Sequence, residues 1–371
     1  MDSATLERLL LREIRRAPGI SRRDLADRLS VARSTAGRRV DHLIDRGLLQ
    51  ESGIEQRSEA GRPKRQLELR GDYGNFIGFD FDARHIYVSL INFAQDTVDE
   101  KIIPLSGRPT RDEVIDHLRD AIDTYGEQKT GAPLLGTGIG VPGQVQRQER
   151  LGLSYSYIEG WKNVDLCKAL EIAPEFLRIE NNTRAIALGE YWLGSASMIE
   201  HLVCITVRTG ISAAIISGGR LLRGSHEMAG EIRGWTVKKD ELDSPSPSWL
   251  EDCATVRAIS PNGVTTPDIW SEFVTACQDG NREALAQLNG IARHHGDTVA
   301  RLIQIADPEA VFFSGAFNEL GETYLNRVRE ATAIALLGQY FSPPPIRFVS
   351  LGQFTGSHGA AALAAEHFHP A

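Results

Sequence analysis

Cysteine, long apolar runs and, at the N-terminal end, lysine are what this chain has least of. Its 371 residues hold four cysteines, Cys167, Cys204, Cys253 and Cys277. No two stand in a Cys-x-Cys or Cys-x-x-Cys spacing, so neither a disulfide framework nor a thiolate zinc site is indicated and reduced thiols are the simpler reading. No apolar run approaches membrane-spanning length, and the first residues carry acids and arginines where a secretory leader needs an apolar stretch. A cytoplasmic location with no membrane partner is expected. Short internal repeats and low-complexity segments are also absent. What is present, 42% hydrophobic residues over this length, suffices for two or three domains.

The charge is unevenly spread. Residues 1–70 carry 16 Lys+Arg, 15 of them Arg, against 11 Asp+Glu, a net +5; the remainder carries 25 against 38, a net −13. A basic segment on an acidic body is the asymmetry expected when one part meets phosphates and the other does not.

In that segment Leu6, Leu9, Leu10 and Ile14 recur at helical spacing, and Pro18-Gly19 closes the helix. Ser21-Arg-Arg-Asp24 is a capping box opening a second helix with Leu25 and Leu29 inward. A third helix is predicted from about Arg33 to Arg46, with Gly47 as its stop. Leu48–Gln50 and Gln66–Leu69 read as strands. Three helices and a two-stranded ribbon in this order resemble a winged helix-turn-helix domain, placed at residues 1–71. Arg33, Ser34, Thr35, Arg38 and Arg39 fall on the N-terminal half of the third helix, the residue types that reach base edges and phosphates. A merely solvated face would look similar. The segment Gly61-Arg62-Pro63-Lys64-Arg65 favours the DNA-binding reading, because it resembles the Gly-Arg-Pro core of minor-groove arms, in which Pro keeps the chain extended and Arg enters a narrow A·T-rich groove.

Further along, Phe176–Ile179 reads as a short strand, and Ala185, Leu188, Gly189 and Trp192 share one face of the following helix. Glu180, Asn181 and Asn182 therefore sit at a strand-to-helix junction, where polar side chains beside free helix N–H groups converge on a ligand. The alternative is that both asparagines only cap the helix. A long helical stretch is expected from Trp270–Phe273 to Ile305, and a last helix of small residues after Gly352, Gly356 and Gly359.

The Glu180-Asn181-Asn182 junction resembles the sugar-site signature of the ROK family (repressors, open reading frames, kinases), which reads Glu-Asn-Asp. Gly-Arg-Pro also stands where repressors of that family carry it. The resemblance covers essentially the whole chain. It implies an α/β fold: a winged helix-turn-helix followed, over residues 72–371, by a two-lobed actin-like ATPase (ribonuclease H-like) body that senses an effector and dimerises. In the family's kinases the Asp is the general base; here it is Asn182, which can hold a hydroxyl but not deprotonate it. Gly160 and Trp161 match the family's sugar-closing loop, Glu231 matches its sugar-binding Glu, and Glu251 aligns with another carboxylate that reaches the sugar. For each glutamate a purely structural role is the competing reading.

The departures are as informative. In the first phosphate turn Asp80 is kept, but two glycines become Asp82 and Ala83 and the Thr becomes Arg84. In the second, Arg208-Thr-Gly-Ile-Ser212 has lost two of three glycines, and Ser314 replaces a glycine on the adenosine side. The family's zinc-loop cysteines are replaced by Ser244–Ser248, and its His by Gly234. Neither a metal nor a cofactor is expected, and no catalytic residue. His226 has no partner at metal spacing.

The resemblance thus implies a sugar-responsive transcriptional regulator, a repressor of carbohydrate-metabolism genes, as a homodimer or dimer of dimers on an A·T-rich inverted repeat. Its effector is expected to be a sugar or sugar phosphate held by Asn181, Asn182, Gly160, Trp161, Glu231 and Glu251. Two alternatives stay open: a hexose kinase with a DNA-binding module, and a DNA-binding scaffold that has lost its ligand.

Overall fold

The computed structural model describes residues 2–55, 64–125, 131–237, 248–260, 266–336 and 342–369. The chain divides into two compact units, residues 1–193 with 356–371, and residues 194–355.

The first unit begins with the head: α1 (Ser3–Arg16), α2 (Arg22–Arg28), α3 (Arg33–Asp45), and the antiparallel ribbon β1 (Leu49–Glu55) and β2 (Lys64–Leu69). Local chemistry sets these boundaries. The Asp2 carboxylate accepts from the Thr5 N–H at 2.8 Å and opens α1, and the Ser21 hydroxyl caps α2 by accepting from the Asp24 N–H at 3.3 Å. Gly47, at φ +75°, ends α3. Leu6, Leu10, Leu11, Ile14, Leu25, Val40, Leu43, Leu48 and Leu67 are buried together as the head's core.

The ribbon leads through a short turn, Gly71–Tyr73, into a five-stranded sheet. Its strands are β3 (Asn75–Phe81), β4 (His85–Asn92), β5 (Thr97–Pro104), β6 (Leu134–Val141) and, after a small sheet of β7 (Gln144–Gln146), β8 (Leu151–Ser154) and β9 (Lys162–Asp165), β10 (Leu177–Asn181). Three helices lie between and after them: α4 (Arg111–Tyr125), α5 (Leu166–Leu170) and α6 (Asn182–Trp192). The strand order is β10-β6-β3-β4-β5, antiparallel at β3-β4-β5 and parallel at β3-β6-β10.

The second unit repeats this wiring. Its strands are β11 (Leu202–Val207), β12 (Ile211–Ser217), β13 (Arg220–Leu221), the pair β14 (Thr236–Val237) and β15 (Ser248–Trp249), then β16 (Ala310–Gly315) and β17 (Ile346–Phe348). The main sheet runs β13-β12-β11-β16-β17, antiparallel at β11-β12-β13 and parallel at β11-β16-β17. The helices are α7 (Leu250–Cys253), α8 (Pro267–Gln278), α9 (Arg282–Ala306) and α10 (Gly321–Ala335). One strand pattern used twice is the expected two-lobed body.

The helical stretch expected over 270–305 is built of two helices, α8 and α9. Gly280 at φ +78° turns the chain, and the Asn281 side chain starts α9 afresh by accepting from the N–H groups of Glu283 and Ala284 at 3.0 and 3.1 Å.

The last helix, α11 (Thr355–Glu366), returns to the first unit. It lies so close to the sheet that a Cβ on Gly78 would sit 1.9 Å from the Ser357 carbonyl oxygen, and one on Gly138 1.8 Å from that of Ala360. Its C-terminal end closes the head's core, because Ala361, Ala364 and Ala365 pack in the same apolar cluster as Leu10, Leu69, Phe76 and Phe93. The turn at Gly71 therefore ends the ribbon without separating two compact bodies. Arg15 of α1 is buried there, 5.2 Å over the Phe93 ring. Burial lowers its pKa to about 10 and raises that of Glu366, whose carboxylate lies 3.8 Å from Arg16.

Candidate functional site

On the head, Arg33, Ser34 and Arg38 of α3 are exposed and Thr35 is half-buried. Arg33 lies 3.5 Å from Asp27. Arg38 makes no ion pair among the described residues and is the cation on this helix best placed to reach a ligand. Arg39, grouped from sequence with the reading residues, is half-exposed and reaches back to α1. It donates to Glu7 of α1 at 3.4 Å, and His42 and Arg46 converge on the same buried carboxylate at 3.1 and 3.7 Å. A carboxylate that is 5% exposed requires such compensation, so Arg39 ties α3 to α1.

On the ribbon, Arg65 pairs with Glu51, whose pKa is lowered by the Arg65 hydrogen bond and by Arg22, which also reaches Asp41. Gly61, Arg62, Pro63 and the Lys64 side chain lie outside the described residues.

In the first lobe the junction forms as expected, with β10 ending at Asn181 and α6 beginning at Asn182. Asn181 caps the helix: its Oδ1 accepts from the Arg184 N–H at 3.3 Å and its Nδ2 donates to the Gly143 carbonyl at 2.9 Å. Both ends of this amide are occupied within the lobe. Asn182 accepts through Oδ1 from the Thr183 N–H at 2.9 Å, and its Nδ2 makes no hydrogen bond among the described residues. Of the two, Asn182 has the donor to offer.

Behind them is an ion pair that the motif reading missed. Glu180, 0% exposed, accepts from the Asn181 N–H at 3.0 Å and lies 3.5 Å from the Arg184 guanidinium, itself 2% exposed. Glu180 lies at the end of β10 and Arg184 in the first turn of α6, so the pair is made by the fold of the junction rather than by one helix face.

Trp161 was expected to line the ligand loop. The structure buries it in the lobe core at 3% exposure, edge-on to Phe81 at 5.1 Å. It anchors the loop whose turn Gly160 makes at φ +75°. Asp82 closes the first turn on itself, its Oδ1 accepting from the Arg84 and His85 N–H groups at 2.7 and 3.0 Å.

In the second lobe, backbone contacts bring Glu231 and Glu251 onto neighbouring segments. The Ala213 N–H donates to the Gly230 carbonyl at 2.9 Å, the Leu250 N–H to that of Trp235 at 2.8 Å, and the Glu251 N–H to that of Arg233 at 3.2 Å. Glu251 is 3.4 Å from Arg257, and its Oε2 lies against Gly210 of the Arg208–Ser212 turn, 3.5 Å from where a Cβ would stand. Gly315 is retained for a steric reason: at φ +114°, a Cβ would be 2.0 Å from the Val207 carbonyl oxygen. His226 is exposed and hydrogen-bonded to Ser225 at 3.0 Å. Among the described residues no group of three His, Cys, Asp or Glu could hold a metal ion, and no helix is long and apolar enough to cross a membrane.

A fold of this kind, a three-helix winged head on a twice-used β-sheet pattern with a polar strand-to-helix junction, defines a class. The chain belongs to the ROK family, whose model matches residues 76–367, and a winged helix-turn-helix DNA-binding model matches residues 4–50. It is 27% identical over 332 residues to the xylose repressor of Caldicellulosiruptor bescii, covering 84% of this chain and 83% of that one. To the xylose repressor of Bacillus subtilis it is 24% identical, covering 98% and 95%. The glucokinase of Halalkalibacterium halodurans is 25% identical, covering 78% of this chain and 94% of that one. Among solved structures, a ROK family transcriptional regulator homologous to the E. coli MLC protein superimposes with a TM-score of 0.79 at 20% identity over 98% of this chain and 96% of that one.

Proposed function

We propose that this protein is a transcriptional repressor whose affinity for an operator is set by a sugar bound to its kinase-like body, and that it does not phosphorylate that sugar. The observation that carries this is the pairing of the head, with exposed Arg38 on its third helix, and a body whose base position is the amide of Asn182. Repressors among the relatives match both parts, and the glucokinases support the origin of the body.

In this reading Asn182 donates to a sugar hydroxyl, while Glu231 and Glu251 accept from others. Arg33, Ser34, Thr35 and Arg38 enter the major groove, and Arg62 the minor groove of A·T-rich flanks. A dimer places two heads on an inverted repeat, and the sugar shifts the population between forms of different operator affinity.

D-xylose and D-glucose, the sugars in the names of the similar proteins, are the first probes. Either is expected to raise the melting temperature, and Glu231→Gln to abolish the rise. No shift with these sugars, their phosphates or other aldoses would favour a scaffold without ligand. Phosphate transfer from ATP, lost in Asn182→Ala, would favour a kinase. On the operator side, Arg38→Ala is expected to weaken binding by about tenfold, while Arg39→Ala acts mainly on head stability. Equal operator affinity for Arg38→Ala and wild type in a titration at fixed salt would sink the placement of the reading face.

A further inference from the structure

Helix α7, which carries Glu251, is four residues long, too short to hold its own orientation. Its end is fixed from a distance. The Ala254 N–H turns back to the Leu250 carbonyl at 2.9 Å, and the Ala254 carbonyl is met by Nε2 of His295 at 2.7 Å. The Tyr324 hydroxyl lies 2.8 Å from the other ring nitrogen, Nδ1. One proton arrangement satisfies all three groups. A carbonyl only accepts, so Nε2–H donates to it; the neutral ring then accepts at Nδ1, and Tyr324 O–H donates.

The trio is sealed. His295, Tyr324 and Ala254 are each 0% exposed, and the imidazole is flanked edge-on by Phe313 and Phe317 at 5.8 and 5.5 Å. Burial holds the imidazole pKa near 4 and the phenol well above its ordinary value, so both stay neutral near pH 7. Beside them Thr255, also 0% exposed, donates from its hydroxyl to the Glu251 carbonyl at 2.8 Å. Well-packed apolar side chains at 295 and 324 would serve a core equally well. A polar relay from α9 and α10, ending on the carbonyl of Ala254, the residue whose N–H closes α7, adds a fixed orientation for that helix.

We propose that His295, oriented by Tyr324, is a positioning residue for Glu251: it fixes the short helix that presents this carboxylate to the sugar. The proposal rests on the sugar-binding reading above, and its test separates the two.

Full-length His295→Leu, His295→Gln and Tyr324→Phe are compared with wild type by calorimetric titration with D-xylose and D-glucose and by amide hydrogen exchange across residues 250–257. Gln can both donate to the Ala254 carbonyl and accept from Tyr324, so it is the conservative variant. His295→Leu is expected to weaken binding of whichever sugar the wild type takes by about tenfold and to speed exchange in 250–257 by about tenfold. His295→Gln is expected to restore both to within about threefold, and Tyr324→Phe to fall between. A lower melting temperature with unchanged sugar affinity and unchanged local exchange in His295→Leu, or a Gln variant no better than Leu, overturns the proposal. If His295→Leu does not fold, Tyr324→Phe and His295→Gln carry the comparison: wild-type exchange and affinity in Tyr324→Phe would overturn it. If wild type binds neither sugar, the sugar reading fails for these probes, and exchange in 250–257 alone decides whether His295 positions the helix.

Discussion

Replacing Glu180 by Ala is expected to destabilise the first unit by about 3–5 kcal/mol, the cost of breaking a buried ion pair from one side. Glu180 is 0% exposed and Arg184 2%, and they approach to 3.5 Å, with Arg147 at 4.0 Å from the same carboxylate. The buried guanidinium loses one of its partners once this carboxylate is removed, so the penalty includes a desolvation cost that a surface ion pair does not carry. At roughly 2–4 °C per kcal/mol for a unit of this size, the melting temperature should fall by about 10 °C. The double variant Glu180→Leu with Arg184→Met removes both charges and keeps apolar volume, and is expected to recover at least half of the loss. Thermal unfolding of the three proteins checks this. A loss below about 1 kcal/mol in Glu180→Ala would show that the pair is not sealed from solvent.

A second large effect is expected at Gly138. Here Ala adds a Cβ 1.8 Å from the Ala360 carbonyl oxygen and 2.4 Å from its carbon. The obstacle is helix backbone, so relief requires α11 to lift from the sheet. Gly78 on the neighbouring strand and Gly359 on α11 itself, whose Cβ would stand 1.9 Å from the Ala185 carbonyl oxygen, hold the same seat from two other sides. Overpacking here should cost about 3 kcal/mol or more. The effect should not stop at stability. Because α11 also supplies Ala361, Ala364 and Ala365 to the cluster under the head, a displaced α11 is expected to lower operator affinity by about tenfold in a protein that still folds. Gly290→Ala is the control: nothing lies within 4 Å of its added Cβ in the middle of α9, so a gain of about 0.5–1 kcal/mol is expected. Equal stability of the Gly138 and Gly290 variants in urea would contradict the close seat of α11.

These two sites also show what reads from sequence and what does not. The glycines at 78 and 138 are visible in the strand segments, and the small residues after Gly352 in the last helix, but nothing local pairs one set with the other. Glu180 and Arg184 stand four apart on paper. Only the surrounding helix and sheet make them a sealed pair rather than a surface one. Trp161 is the converse case: an aromatic in a ligand loop reads as a wall for the ligand, and the packed lobe takes it as core.

By itself the sequence determined the elements and their class: helix periods, the Ser21 cap, the Gly47 stop, the strand-to-helix junction before Asn182 and the family to which the chain belongs. Those signals are local, each carried by a few neighbouring residues whose backbone preferences and hydrogen bonds need no distant partner. Tertiary structure alone decided which charges are spent internally, as with Arg39 on Glu7, where the 270–305 helical stretch breaks, and that the last helix joins sheet to head. Burial and close approach depend on atoms far apart in the chain, and a charge changes its role entirely when water is removed from around it.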